Sequence, residues 1–97
     1  MRDFILLMHK DATGAPSHEM WSSYFSFLRG LGVFEGGSSI GPGETFRKQG
    51  PPGDLSEQLA GYIRLRAESL ADARTLLEGN PIFECGGTVE IRELPHD

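Results

Sequence analysis

The residues of this chain equipped for chemistry sit mainly on two short alternating segments. In Leu59–Ala67, Tyr62, Arg64 and Arg66 fall on one parity while Leu59, Gly61, Ile63 and Leu65 fall on the other. In Thr88–Arg92, Thr88, Glu90 and Arg92 alternate with Val89 and Ile91. If both segments are strands, the apolar parity faces a core and the polar parity gathers on the opposite sheet face. Guanidinium groups beside a carboxylate and a phenol suit a small anionic or phenolic ligand, because the planar fork of Arg makes paired hydrogen bonds to such groups. The plainer reading of the same pattern is a sheet face solvated by water. Tyr62, Arg64, Glu90 and Arg92 are therefore candidate ligand-binding residues, with both readings open.

Proton transfer near neutral pH calls for imidazole, and the chain has three histidines, His9, His18 and His96. His9 follows an apolar segment and is placed to reach the mouth of a cleft, which makes it the candidate acid/base residue. His18 stands beside Glu19 at the start of a helical pattern and reads as a solvated first-turn side chain. His96 lies in the terminal tail, where chain ends are poorly held. No spacing of His, Cys, Asp or Glu has a metal-ligand pattern, so no metal and no cofactor is expected. Cys85 is the single cysteine, which precludes an intrachain disulfide and reads as a small residue at a strand entrance. The run Gly36–Gly43 neither joins a first strand to a helix nor leads into a Lys-Ser/Thr pair, so it reads as a flexible lip, not a nucleotide fingerprint.

The elements that must position these groups follow from periodicity. Phe4–Met8 is apolar on both parities, as in a central strand covered on both faces. Ser17 is a candidate N-cap, after which Met20, Trp21, Tyr24, Phe25, Leu28 and Leu31 recur at helical spacing until Gly30/Gly32. A second strand is predicted from Val33 to about Gly37, and an accessory strand over Glu44–Lys48. Ser69-Leu70-Ala71-Asp72 is a capping-box pattern opening a second helix that runs to Gly79-Asn80-Pro81. The order strand-helix-strand-(hairpin)-strand-helix-strand is the ferredoxin-like split βαβ arrangement, an α+β sandwich with a small hairpin insertion. Residues 1–94 form one domain and 95–97 a tail.

Composition narrows the partners. The chain has 97 residues and a formal charge of -5 with no Lys/Arg cluster, which argues against nucleic acid or an anionic membrane surface as ligand. It carries no leader-like basic run and no apolar stretch near the roughly 18 residues of a membrane span. A cytoplasmic protein is expected. So small a core, with a first strand apolar on both faces, predicts a homodimer.

The stretch Gly50-Pro51-Pro52-Gly53 running into Ser56-Glu57-Gln58-Leu59-Ala60-Gly61-Tyr62 resembles the signature of the YCII-related, or DGPF, family. Glu19 to Gly37 resembles that family's first helix and following strand, and Gly86–Arg92 its last strand. The resemblance implies a ferredoxin-like domain paired into a dimeric α+β barrel, with a small polar or aromatic molecule bound or transformed in a cleft at the dimer interface. If the family's activity were retained, it would be a lyase- or isomerase-like proton transfer shared by a helix His and a turn Asp. In this chain Trp21 stands at the position of that His and Gln49 at that of the Asp, while Pro52 replaces the Phe of the turn. Trp21 is accordingly a pocket-bordering candidate, and whether the chain is an enzyme stays open. The resemblance also implies an alternative, a noncatalytic regulatory or interaction module associated with sigma-factor signalling.

Overall fold

The computed structural model describes residues 1–96; of the expected tail, residue 97 lies outside the described residues. Seven elements follow one another: β1 (Arg2–His9), α1 (His18–Gly30), β2 (Phe34–Ser39), β3 (Leu59–Ala67), α2 (Leu70–Thr75), α3 (Pro81–Glu84) and β4 (Val89–Leu94). The strands form one four-stranded sheet in the order β2-β3-β1-β4, with every neighbouring pair antiparallel. This is the ferredoxin-like α+β arrangement expected from the sequence.

Side-chain alternation follows directly from the register. Leu6 stands opposite both Ile63 and Ile91, and Met8 opposite Gly61 and Val89, so these residues share one face. That face supplies the core: Phe4, Leu6, Met8, Ile63, Leu65 and Ala67 are buried with Tyr24 and Leu28 of α1 and Ala73, Leu76 and Leu77 at α2. Leu7 stands opposite Tyr62 and Glu90, and Ile5 opposite Arg64 and Arg92, on the other face. The strand from 59 to 67 has the limits its alternation predicts.

Local signals account for the helix ends. Ser17 accepts from the Met20 backbone N–H and starts α1. Ser69 accepts from the Asp72 N–H and starts α2. The second helix stops at Thr75, earlier than predicted, and the chain then turns through Gly79, whose φ of +86° needs glycine. A separate short helix follows, with Asn80 as cap and Pro81 at its first position. Asn80 is fully buried yet bonded: its Oδ1 accepts from the Phe83 N–H and its Nδ2 lies 3.7 Å from Met8 Sδ. Tyr24, also buried, donates its hydroxyl to the Leu76 carbonyl at 2.7 Å, tying α1 to the end of α2.

Three further expectations need correction. Glu44–Lys48 forms no strand: the insertion in the β2–β3 hairpin, from Gly41 to Gln58, carries no strand pairing and is almost wholly exposed. Its run of Gly and Pro, and the absence of an apolar parity that could be buried, leave nothing for a ladder to hold. Ser38 and Ser39, read as loop, continue β2 instead, paired to Tyr62 and Gly61. Cys85 lies at the end of α3, where its carbonyl accepts the backbone N–H groups of Thr13 and Gly14.

Candidate functional site

The polar face of the sheet assembles in rows. Arg64, Ile5 and Arg92 stand side by side on three adjacent strands, and Tyr62, Leu7 and Glu90 form the next row. The four ligand-binding candidates from alternating parity are thus brought to one face. His9 joins them: its Nε2 lies 3.0 Å from Glu90 Oε1. The other Glu90 oxygen, Oε2, lies 3.5 Å from Arg92 Nη1, giving a line His9–Glu90–Arg92. The hydrogen bond from His9, and secondarily that from Arg92, holds the Glu90 carboxyl below its ordinary value against a smaller opposing effect of burial. Asp11, just beyond His9, accepts from both the hydroxyl and the backbone N–H of Thr88, and these bonds lower its carboxyl in the same way. Asp11 thereby clasps the end of β1 to the start of β4.

His18 is exposed at the first position of α1, as expected of a solvated side chain. His96 does not hang free: its Nε2 meets Asp3 Oδ2 at the far edge of the sheet. No group of three or more His, Cys, Asp or Glu side chains among the described residues is arranged to hold a metal ion.

A second feature lies on the helix side of the sheet. A cavity of about 390 Å³ opens between α1 and the β2–β3 end, walled by Trp21, Phe25, Met8, Ile63 and Ile82, with Gly37, Ser38, Ser39, Ala60 and Gly61 as its strand border. Trp21 and Phe25 stack with ring centroids 5.7 Å apart and planes 25° from parallel. Phe25 leans in turn on Phe34 at 5.3 Å, and the Arg29 guanidinium caps Phe34 at 5.1 Å. Two glycines at the cavity's strand border allow β2 and β3 to approach closely. A Cβ on Gly61 would lie 3.3 Å from the Met8 methyl and 3.0 Å from the Ser38 carbonyl, and one on Gly37 would lie 2.6 Å from the Tyr62 carbonyl.

Trp21 therefore does not share a site with Arg64, Glu90 and Arg92. Trp21 belongs to the cavity on one side of the sheet, and the arginines and the His9–Glu90 pair belong to the other. Tyr62 borders both, since it lines the cavity while its row places it with Leu7 and Glu90. Phe25, Ile82 and the small residues of β2 are cavity residues that sequence reasoning missed. The run Gly36-Gly37-Ser38-Ser39 carried the signal: small residues inside a strand mark a close approach of backbone or ligand.

No family model matches the chain, and no curated protein matches it in sequence. A solved structure, 5-chloro-2-hydroxyhydroquinone dehydrochlorinase from Burkholderia phenoliruptrix AC1100 in complex with 2,5-dihydroxybenzoquinone, superposes with a TM-score of 0.54 over 100% of this chain and 96% of that one, at 13% identity. The likeness is one of fold. No helix among the described residues is long and apolar enough to cross a membrane.

Proposed function

We propose that this protein binds a small planar molecule with an aromatic ring in the cavity between α1 and the sheet. The observation that carries the reading is the cavity wall. At about 390 Å³ it is in the size range of small-molecule sites, roughly 300–1,000 Å³, and its Trp21–Phe25 stack offers an aromatic surface for a flat ring. Ser38 and Ser39 give the border a polar margin for substituents. The similar fold solved with 2,5-dihydroxybenzoquinone, a small planar substituted ring, supports a flat ring as the ligand's shape.

The walls favour binding without acid–base chemistry. Among the described residues, no His, Asp, Glu, Lys, Arg or Cys lines the cavity, and His9, the candidate acid/base residue, stands with Glu90 on the opposite face. A geometric requirement of proton transfer is hydrogen-bond reach of the reacting atom, and the cavity wall offers no such group apart from Tyr62. Taken as a YCII-related protein in which Trp21 stands where the family has its histidine, the chain suits a noncatalytic, regulatory binding role in the cytoplasm better than a lyase or isomerase.

The polar face has a different use in this reading. Ile5 and Leu7 remain only half-buried in its centre, ringed by Arg64, Arg92, Tyr62 and Glu90, and a second copy pairing sheet to sheet would cover them. Isothermal calorimetry with 2,5-dihydroxybenzoquinone and hydroquinone tests the pocket. Saturable 1:1 heat that disappears in Trp21→Ala, with the variant still folded, supports it. Equal binding to the wild type and to Trp21→Ala places any ligand elsewhere and refutes the reading.

A further inference from the structure

Segment 41–58 is held only at its two ends, one beside the cavity and the other beside β1. The strands it connects end at Ser39 and begin at Leu59, and Ser39 and Ala60 are both part of the cavity border. The Ile40 N–H to Ala60 carbonyl bond of 2.9 Å closes the base of the segment, and the Lys10 N–H to Gln58 carbonyl bond of 2.8 Å pins its far end beside β1. Between those pins, among the described residues, no backbone group bonds to the body; the segment's own hydrogen bond is a turn in which Arg47 Nη1 donates to the Pro51 carbonyl at 3.3 Å.

The segment also projects outward. The chain measures 47 × 36 × 19 Å with a radius of gyration of 14.8 Å, above the roughly 12–13 Å of a compact domain of this length. Phe46, near its tip, is 86% exposed, and Leu55 on the returning limb is 43% exposed. In the position shown, the Phe46 ring is left almost wholly in water. Gly41-Pro42-Gly43 lies just beyond the base, and a Cβ on either glycine would meet nothing within 4 Å, so the backbone there has space to change direction. About seven residues separate Ser39 from Phe46, an extended reach on the order of 20 Å.

We propose that segment 41–58 is a lid for the Trp21 cavity, swinging about Gly41-Pro42-Gly43 so that Phe46 closes over the Trp21–Phe25 stack. The structure shows the open position. Closure buries Phe46 and gives a bound ring a second apolar face, so that release waits on lid opening. This inference rests on the pocket reading above for its ligand, but the motion is detectable without one.

Trp21 is the single tryptophan of the chain, so its fluorescence reports on the cavity mouth. Acrylamide quenching is measured on the full chain, on Phe46→Ala and on a variant with 44–55 replaced by a short Gly-Ser turn, at several protein concentrations. Phe46 makes no buried contact, so its replacement leaves folding intact. The expected result is an about twofold higher quenching constant in both variants, independent of protein concentration. With 2,5-dihydroxybenzoquinone as probe, dissociation from Phe46→Ala should be about tenfold faster, equivalent to about 1.4 kcal/mol. Identical quenching in all three proteins overturns the lid, even if the probe binds. A protective effect that vanishes on dilution assigns the arm to a second copy and likewise overturns it. Protection of Trp21 by Phe46 with no binding of the probe upholds the lid while the pocket reading fails.

Discussion

His9 and Glu90, eighty-one positions apart in sequence, meet at 3.0 Å as diagonal neighbours on adjacent strands, on the sheet face that the helices leave uncovered. The pair stands beside Leu7, the residue directly opposite Glu90. The relationship makes part of the domain's stability depend on an ionised Glu90 carboxylate.

Glu90→Gln should remove part of the stability at neutral pH and none of it in strong acid. Glu90 is held below the ordinary carboxylate range in the folded state, first by the His9 hydrogen bond. Its contribution is therefore present above the unfolded value and lost as pH falls through the folded one. Urea unfolding at pH 7 and at pH 3 measures this. A wild-type advantage that stays the same at both values would contradict the assignment.

Tyr24→Phe should cost about 1–2 kcal/mol at neutral pH, because the buried Leu76 carbonyl loses its 2.7 Å donor. Burial pushes the Tyr24 phenol from 10.0 up to about 12, with Asn80 acting in the opposite direction. A raised value means that the wild type keeps its stability below pH 10 and loses it as pH climbs toward 12. The loss over that window is roughly 2–3 kcal/mol, which Tyr24→Phe should lack. Alkaline unfolding monitored by circular dichroism compares the two.

Gly37→Ala should destabilise by about 1–3 kcal/mol, since a Cβ there would stand 2.6 Å from the Tyr62 carbonyl and 3.2 Å from Ile63 Cα, both backbone atoms of a paired strand. Gly41→Ala, where a Cβ meets nothing within 4 Å, should stay within about 0.5 kcal/mol. For a domain of this size each kcal/mol shifts the melting temperature by roughly 4–8 °C, so calorimetry resolves the two variants.

Arg64→Ala and Arg92→Ala should leave binding of an aromatic ligand in the Trp21 cavity within about twofold, because their side chains stand on the opposite face and the pocket needs neither. A tenfold loss of ligand affinity in either variant would return the anion-clamp reading to the polar face.

The alternation in Leu59–Ala67 and the N-caps Ser17 and Ser69 were legible because each is local: a period of two or a hydroxyl two or three residues from an orphan N–H leaves one favourable conformation. Parity likewise brought Tyr62, Arg64, Glu90 and Arg92 to one face, since an antiparallel register preserves it across strands. Sequence could not decide what stands on the other side of the sheet. Trp21 belongs with Met8, Ile82 and Gly37, residues from four separated segments that only the packing of the helices on the sheet brings around one cavity. The His9–Glu90 pairing and the Asn80 contact with Met8 are equally nonlocal. Residue spacing fixes which face a side chain takes; only the packed chain brings particular side chains within the few ångströms at which hydrogen bonds and dispersion act.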